Sequence, residues 1–448
     1  MKFELTKEFL KALAEHLYEN QLPEALALIQ DLHYADIAEI IEELPLEQGL
    51  QLYQNLNEEV AADVLVELEE DLRERILDSL SAKEIAEDVI EKLDSDDAAD
   101  LIAELSEDKK EEVISQIEDL EQAKQIVDLL NYPEDTAGGL MAKELIQVNH
   151  NWTVMRCVKE MRKQAETIEE VHAVYVVDDE NRLLGTLSLK KLLTTSTRTL
   201  VADIYNSKVR SVKATMDEEE VANIMKKYDM VVVPVVDDLE RLLGRITFDD
   251  IVDVMKEESD KDYQMASGIS ESVEASDSVW TLTRARLPWL LIGMFGGILG
   301  AQVIGIFDIE ANLEMAFFIP LITAMGGNVG VQSSAIVVQS LANNNPGFDS
   351  LFQKMMKEFG VALANGLVCS TVLFAAGQVL GYPAILSLTV AIALMSVIIV
   401  AGMFGTFVPL ALNRYKIDPA LATGPFITTA NDVLGLFIYF YIGKLVMA

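Results

Sequence analysis

The run Gly424-Pro-Phe-Ile-Thr428-Thr429-Ala-Asn431-Asp432-Val-Leu-Gly435 sets a carboxylate one turn beyond a pair of hydroxyls, inside a segment otherwise apolar as far as Ile442. An ionised Asp near the centre of a membrane helix costs roughly 2.5–3.5 kcal/mol on insertion scales. Asp432 must therefore face water, a partner or an ion, or sit buried and protonated. Its chemistry is that of a hard oxygen ligand. Thr428 and Thr429, with carbonyls expected to be loosened near Pro425, are placed to hold water around such an ion. A second run, Met325-Gly-Gly-Asn328-Val-Gly-Val-Gln332-Ser-Ser334, joins small residues to amides and hydroxyls, which suits close helix contact and interhelical hydrogen bonds.

No second acid, His or Lys lies deep in the apolar stretches, so one chain offers a single strong ligand and two copies about an axis offer a pair. Mg²⁺ dehydrates reluctantly and is commonly held through one or two carboxylates with its waters retained. Ca²⁺ asks for more direct oxygen ligands, and transition metals for His or Cys, which this half lacks apart from Cys369. A third constellation, Asp94, Asp96, Asp97 and Asp100, stands before the apolar half. Carboxylates one turn apart repel unless a cation sits between them. Enzyme chemistry is not expected: no nucleophile–base pair, Walker loop or metal-hydrolase spacing occurs, and His16, His33, His150 and His172 lie outside the apolar stretches without ligand spacing. Cys157 and Cys369 are expected to be free thiols.

These residues must be positioned by two different materials. The formal charge of −38 falls entirely before Arg284. Beyond it, Arg284, Arg286, Lys354, Lys357, Arg414, Lys416 and Lys444 are matched by Asp308, Glu310, Glu314, Asp349, Glu358, Asp418 and Asp432. The acidic excess argues against a nucleic-acid partner, because a phosphate backbone requires a basic face, and makes cations the natural partners.

Residues 1–131 read as an acidic all-α domain. The pattern Ala, acid, two aliphatics, any residue, Glu, Leu occurs at Ala38–Leu44, Ala62–Leu68 and Ala99–Leu105, which suggests stacked helical hairpins. A duplication follows: His172-Ala-Val-Tyr-Val-Val-Asp-Asp-Glu-Asn-Arg-Leu-Leu-Gly185 returns as Val231-Val-Val-Pro-Val-Val-Asp-Asp-Leu-Glu-Arg-Leu-Leu-Gly244. Each copy reads as a short buried strand, an acidic turn, a second strand and a helix. Residues 258–283 are expected to form a connecting helix. Residues 284–448 hold five apolar stretches, near Leu287–Phe307, Met315–Leu341, Phe359–Leu380, Ile385–Leu412 and Ala420–Ile442, each long enough to cross a membrane.

Basic residues set the expected orientation. Arg284 and Arg286, Lys354 and Lys357, and Arg414 and Lys416 fall at three places that are cytoplasmic if the N-terminus is. The loops Asp308–Glu314 and Gly381–Pro383 carry no Lys or Arg and are expected outside, with the C-terminus; Lys444 alone dissents. The opening MKFELTKEFLKALAEHLYEN has no apolar h-region, so no cleaved signal is expected.

The repeated V-V-D-D-x-x-R-L-L-G is similar to the cystathionine-β-synthase (CBS) domain pair, with one copy in 132–200 and the other in 201–257. Together with the acidic helical domain, five spans, G-G-N-V-G-x-Q-S and D-P-A-L-A-T-G-P-F-I-T-T-A-N-D, the whole chain resembles the MgtE family of magnesium channels and transporters. The fold expected is therefore multidomain: an all-α helical-repeat domain, α+β tandem CBS domains, a connecting helix and a five-helix membrane domain.

The resemblance implies a homodimer in the cell membrane with a pore on its twofold axis, Asp432 at the ion site, and backbone near Gly424 and Thr428 holding hydration water. Some relatives carry Asn where Gly424 stands. It also implies regulatory Mg²⁺ at Asp63, Asp96 and Asp100 of the first domain, at Asp217, Glu219, Asp229, Asp250 and Asp253 of the CBS region, at Glu258 and Asp262 of the connecting helix, and at Asp418 before the last span. Lys261 falls where some relatives place an acid. CBS pairs admit adenine nucleotides such as ATP, although no motif here fixes a nucleotide site. Acids on facing surfaces repel at low Mg²⁺ and are bridged at high Mg²⁺, so cytoplasmic Mg²⁺ is expected to close the path it travels. The alternatives are a CBS-regulated transporter of Co²⁺ or another solute gated by nucleotide, and a membrane-anchored adaptor.

Overall fold

Helix punctuation in the acidic region follows the sequence closely. The computed structural model describes residues 3–166, 168, 171–273, 277–307, 309–342, 350–422 and 424–447; Asp308 and Asp349 of the charge tally lie outside them. The helices are α1 (Lys7–Tyr18), α2 (Leu22–Ile29), α3 (Tyr34–Glu43), α4 (Leu46–Tyr53), α5 (Glu58–Glu67), α6 (Glu70–Ser79), α7 (Ala82–Glu84), α8 (Ser95–Glu104), α9 (Glu107–Gln116) and α10 (Leu120–Leu129). The repeated pattern occupies α3, α5 and α8, and its closing Leu is in each case the extended C-cap: Leu44, Leu68 and Leu105. Its Ala and two aliphatics are buried, as Ala38, Ile40 and Ile41, then Ala62, Val64 and Leu65, then Ala99, Leu101 and Ile102. Short polar caps start new turns, as at Ser81, which makes a capping box with Glu84. A π-turn and a 3₁₀ turn over Ile85–Lys92 interrupt the regular helical reading.

The duplicated segment forms two three-stranded sheets. In the first, β1 (Ile146–Asn149) pairs parallel with β2 (Val174–Val177), which pairs antiparallel with β3 (Leu183–Leu187). The second repeats this with β4 (Val212–Lys213), β5 (Val232–Val236) and β6 (Leu242–Thr247). Even the register irregularity recurs, at Val176/Val177 and at Val235/Val236. The shared acidic turn explains the match: Asp178 and Asp237 each accept the backbone N–H and the Nε–H of the Arg four residues on, Arg182 and Arg241. The turns then meet, Leu183 N–H donating to Glu240 O and Leu242 N–H to Asn181 O, both at 2.9 Å. Helices α11 (Val154–Gln164), α12 (Leu189–Thr194) and α13 (Glu218–Tyr228) complete the pair. One apolar core runs from the acidic helices through Ala137 and Met141 into Val233, Val235 and Ile246 of the second sheet; the first sheet has its own around Val174 and Val176.

The chain falls into two units, Met1–Lys256 and Glu257–Ala448. Helix α14 (Phe248–Ala266) begins directly after β6 and is stopped by Gly268, whose φ of +82° only glycine adopts freely. The helix expected over 258–283 therefore ends early, and α15 (Val279–Ile306) starts anew from a Ser278 cap.

The second unit holds α15, α16 (Ile319–Ala342), α17 (Leu351–Val379), α18 (Ala384–Arg414) and α19 (Gly424–Met447), all with the length and hydropathy of membrane spans. Helix α18 is the most enclosed, buried at intervals from Leu386 to Pro409. Helices α15 and α17 extend well before their apolar stretches, because helical hydrogen bonds are satisfied within the segment in water and lipid alike and hydropathy marks only the part in lipid. The second span, Leu313–Leu341, falls where expected, but its α-helix, like that of the fifth span, starts late. Ile309–Phe318 and Pro419–Ala422 are 3₁₀ segments preceding the α-helices.

Candidate functional site

In the membrane unit, α19 presents Thr428 and Asp432 on one face, four residues apart, and both look onto Gly327 of α16. A Cβ at position 327 would stand 3.0 Å from Thr428 Cγ2 and 3.9 Å from Asp432 Oδ1. Glycine lets the two backbones close over these polar groups. The neighbouring face holds Asn431, 2% exposed, against Gly330, and its Oδ1 and Nδ2 have no hydrogen-bond partner among the described residues. On the far side Thr429 occupies the space that a side chain at Gly296 of α15 would fill.

Pro425 does not act as the sequence suggested. It occupies the second position of α19, where a missing N–H breaks no helical bond, so it frees no carbonyl. The Gly424 carbonyl instead accepts the Thr428 hydroxyl at 3.0 Å. Gly424 itself has φ of +44°, with the Ala266 carbonyl lying where its Cβ would be.

The soluble unit brings together acids from distant parts of the chain. The helical repeat supplies Asp63 with Glu67 and Asp100 with Glu104, each pair one turn apart on α5 and α8. Asp94, Asp96 and Asp97 come from the start of α8, Glu144 from the segment before β1, and Asp250 and Asp253 from α14. One carboxylate oxygen from each of Asp94, Asp96 and Glu144 lies within 4.8 Å of the others. Asp96 Oδ1 is buried without a partner among the described residues. Burial, then Asp97, Asp250, Asp94 and Glu144, push the Asp96 carboxyl well above the ordinary range. Burial, Asp250, Asp100, Asp94 and Asp63 raise Asp97 to about 7. Asp100 is likewise raised to about 7 by the bulk of protein around it, by Glu134 and by Glu104, against Arg73. Its surface remains open, so solvent screening softens that shift. Asp253 is raised by burial and by Asp250 and Asp249, against Lys256, and Glu67 is raised by burial and then by Asp253, against His33.

Two cations border the cluster. Arg245 Nη2 donates to Asp94 Oδ2 at 3.2 Å, and Arg73 forks onto Glu104 while donating to the Val66 and Leu68 carbonyls. Hard, anionic oxygens with an orphaned buried atom fit a divalent cation of the Mg²⁺ or Ca²⁺ type.

The remaining expected residues are divided. Asp217 caps α13, accepting from Glu219 N–H and Glu220 N–H, while Asp229 ends the same helix in a left-handed conformation. An eleven-residue helix separates its ends by about 16 Å, so one ion cannot meet both. Glu219 lies in the first turn of α13, beside the cap. In the membrane unit, burial raises the Asp262 carboxyl, followed by Asp418 and Glu258, so these three are neighbours. Lys261 pairs with Glu258 at 2.7 Å, so a cation stands where the resemblance puts an acid in some relatives.

Sequence reasoning missed Glu144, Glu134, Glu67 and Glu104 as members of the cluster. The repeat carried a signal for the last two, since acid and Glu four apart share a helix face. It also missed a basic cleft in the CBS pair. This cavity of about 990 Å³ is lined by Lys190, Lys191, Lys208 and Arg210 with apolar residues such as Val174 and Val232. The Arg210 guanidinium lies 3.6 Å over the Tyr228 ring. Cys157 and Cys369 are free thiols.

Residues 319–442 match the family model MgtE, divalent cation transporter; residues 32–135 match the MgtE intracellular N domain, and residues 137–197 and 201–257 the CBS domain. The magnesium transporter MgtE of Bacillus subtilis is 33% identical over 314 residues, 70% of either chain. That of Thermus thermophilus is 35% identical over 323 residues, 71% of this chain and 72% of its own. A crystal structure of the cytosolic domain of the Mg²⁺ channel MgtE in complex with ATP matches at 33% identity with a TM-score of 0.51, covering 55% of this chain and 99% of that one. The relatives are named as transporters rather than enzymes.

Proposed function

The chain belongs to the MgtE family of divalent cation transporters, and on that premise we propose that it is a homodimeric, Mg²⁺-selective channel or carrier closed by cytoplasmic Mg²⁺. The observation that carries the regulatory part is Asp96, whose buried Oδ1 has no partner among the described residues while Asp97, Asp250, Asp94 and Glu144 crowd it. Only protons or cations relieve such a concentration of charge. When Mg²⁺ is scarce the carboxylates repel and favour separation of α8 from α14; when it is abundant the ions bridge them. Asp63, Asp100 and Asp253 extend that contact. Asp262, Asp418 and Glu258 form a second set at the base of the membrane unit, where one ion would hold α14 to the start of the last span. Asp217, Glu219 and Asp229 would serve separate, weaker sites.

Asp432 is the residue proposed to meet the travelling ion. Two copies about a dimer axis supply two carboxylates, and Thr428 supplies a hydroxyl one turn below. The glycines of α16 keep the wall close enough for hydration water to bridge. In this orientation the N-terminus and the pairs Arg284/Arg286, Lys354/Lys357 and Arg414/Lys416 are cytoplasmic. The basic cleft is the proposed seat for ATP, its four cations taking phosphates and its apolar wall the base; the ATP complex of the related cytosolic domain supports this.

The test is Mg²⁺ flux through the purified protein in vesicles, with internal Mg²⁺ varied and Co²⁺, Ca²⁺ and Ni²⁺ competing outside. Flux that ignores internal Mg²⁺ removes the gating reading. Preference for Co²⁺ removes the Mg²⁺ assignment.

A further inference from the structure

The membrane unit contains a cavity of about 780 Å³ between the turn after α14, residues 286–293 of α15 and the start of α19. Its lining is mostly apolar, with Ile269, Leu290 and Pro425, and includes Gly424, Thr428 and Thr429 at the start of α19; it holds one full charge, Arg286, and one indole, Trp289. Arg286 is exposed and has no hydrogen-bond or ion-pair partner among the described residues, whereas Arg284 two positions earlier is paired with Glu271 at 3.4 Å. Both Arg286 and Trp289 sit where α15 passes from its polar start into its apolar stretch. That is the depth at which Arg reaches for headgroups and Trp rests in the interfacial belt. Among the described residues the Arg286 guanidinium has no side-chain counterion. Its natural counterion at this depth is an anionic lipid rather than another side chain.

We propose that this cavity binds an anionic phospholipid, its phosphate on Arg286, its glycerol region against Trp289, and the first part of an acyl chain along Leu290 and Gly293. Gly293 makes the lower part of the groove: a Cβ built there meets nothing within 4 Å. The opposite wall is the Gly268–Pro425 contact, where the turn after α14 rests on the start of α19. A bound lipid therefore touches both the connecting segment and the helix that carries Thr428 and Asp432. The proposal rests on the second unit lying in a bilayer, and not on which ion the protein moves.

The test measures lipid retained by the full-length protein after purification from vesicles of phosphatidylcholine containing about one-fifth phosphatidylglycerol. Quantification is by mass spectrometry of the extracted lipid, so no flux is required. Wild type is expected to enrich phosphatidylglycerol over its share of the vesicle. Arg286→Gln should lower that enrichment about fivefold, the factor equivalent to roughly 1 kcal/mol per basic side chain at an anionic surface; Arg286→Lys should keep most of it. Gly293→Phe, which fills the groove without altering charge, should lower it as far as Arg286→Gln. Equal enrichment in wild type, Arg286→Gln and Gly293→Phe overturns the site. Retention of phosphatidylcholine as strongly as phosphatidylglycerol overturns the anionic assignment.

Discussion

Ser333 Oγ donates to Glu358 Oε1 at 2.6 Å, tying α16 to α17, and Gly402 of α18 leaves the room for that bond. A side chain at 402 would stand 2.9 Å from the same carboxylate oxygen. Composition treats Glu358 as a charge balancing Lys354 and Lys357 in a loop. In the fold it is the eighth residue of a continuous helix and reaches the helix that faces Asp432. It acts as a positioning residue for α16, the helix that Asp432 faces.

Glu358→Ala and Ser333→Ala should each destabilise the membrane unit by about 1.5–3 kcal/mol, the range for a hydrogen bond to a charged group. The double variant should be no worse than the worse single one, because both remove one interaction. Glu358→Gln, which keeps an acceptor, should recover most of the loss. Unfolding in detergent measures all four; strict additivity would falsify the coupling.

Asp432→Asn should cut Mg²⁺ flux by an order of magnitude or more, equal to about 1.4 kcal/mol in the barrier. Protection of the soluble unit from protease by Mg²⁺ should be unaltered. Flux at the wild-type rate takes Asp432 out of the ion path.

Replacing Asp96, Asp250 and Asp253 together by Ala should leave the protein conducting when internal Mg²⁺ is high, with flux at low internal Mg²⁺ unchanged. Normal inhibition in that variant removes the cluster from regulation.

The raised carboxyls predict proton exchange. Burial and neighbouring acids raise Asp97 to about 7, so at neutral pH it is partly protonated when no metal is bound, and Asp100 is shifted the same way but less because its surface is open; a bridging cation must displace such protons. Mg²⁺ binding at pH 7 should release protons from the cluster, and fewer at pH 8.5. Because the folded pKa values lie above the ordinary one, deprotonation without metal disfavours the closed cluster: its stability falls as pH rises from about 4 through about 7, and added Mg²⁺ should abolish the fall. Calorimetry in buffers of different ionisation heat gives the proton count. A count that stays at zero from pH 6 to pH 8.5 sinks this account.

Gly330→Ala should cost about 1–3 kcal/mol and impair flux, since the added methyl collides with Asn431. Gly297→Ala is the control, because its Cβ meets nothing within 4 Å. Equal stability of the two variants contradicts the close seating of α16 on α19.

Much of the fold is legible in the chain because its elements are local. The closing Leu of each helical repeat, the repeated Asp–Arg turn of the two sheets and the five apolar runs depend on neighbours a few residues away. Helix ends were less legible where hydropathy was the guide, as in α15 and α17, and the Gly268 stop cut short a helix that polarity alone would extend. Pro425 misled for a related reason: its effect depends on its position within the helix, which only the helix start reveals.

The sequence by itself determined that acid and lipid-soluble halves are separate, that the first repeats acids at one-turn spacing, and that one carboxylate, Asp432, lies deep in the second. Charge, hydropathy and periodicity are properties of segments and survive without folding. Only the tertiary structure decided which acids face one another. Asp96 meets Asp250 and Glu144 because α8, the segment before β1 and α14 are brought together by a shared core, whereas Asp217 and Asp229 are held apart by the rigid length of α13. No spacing rule along the chain encodes a distance set by packing between elements far apart in sequence.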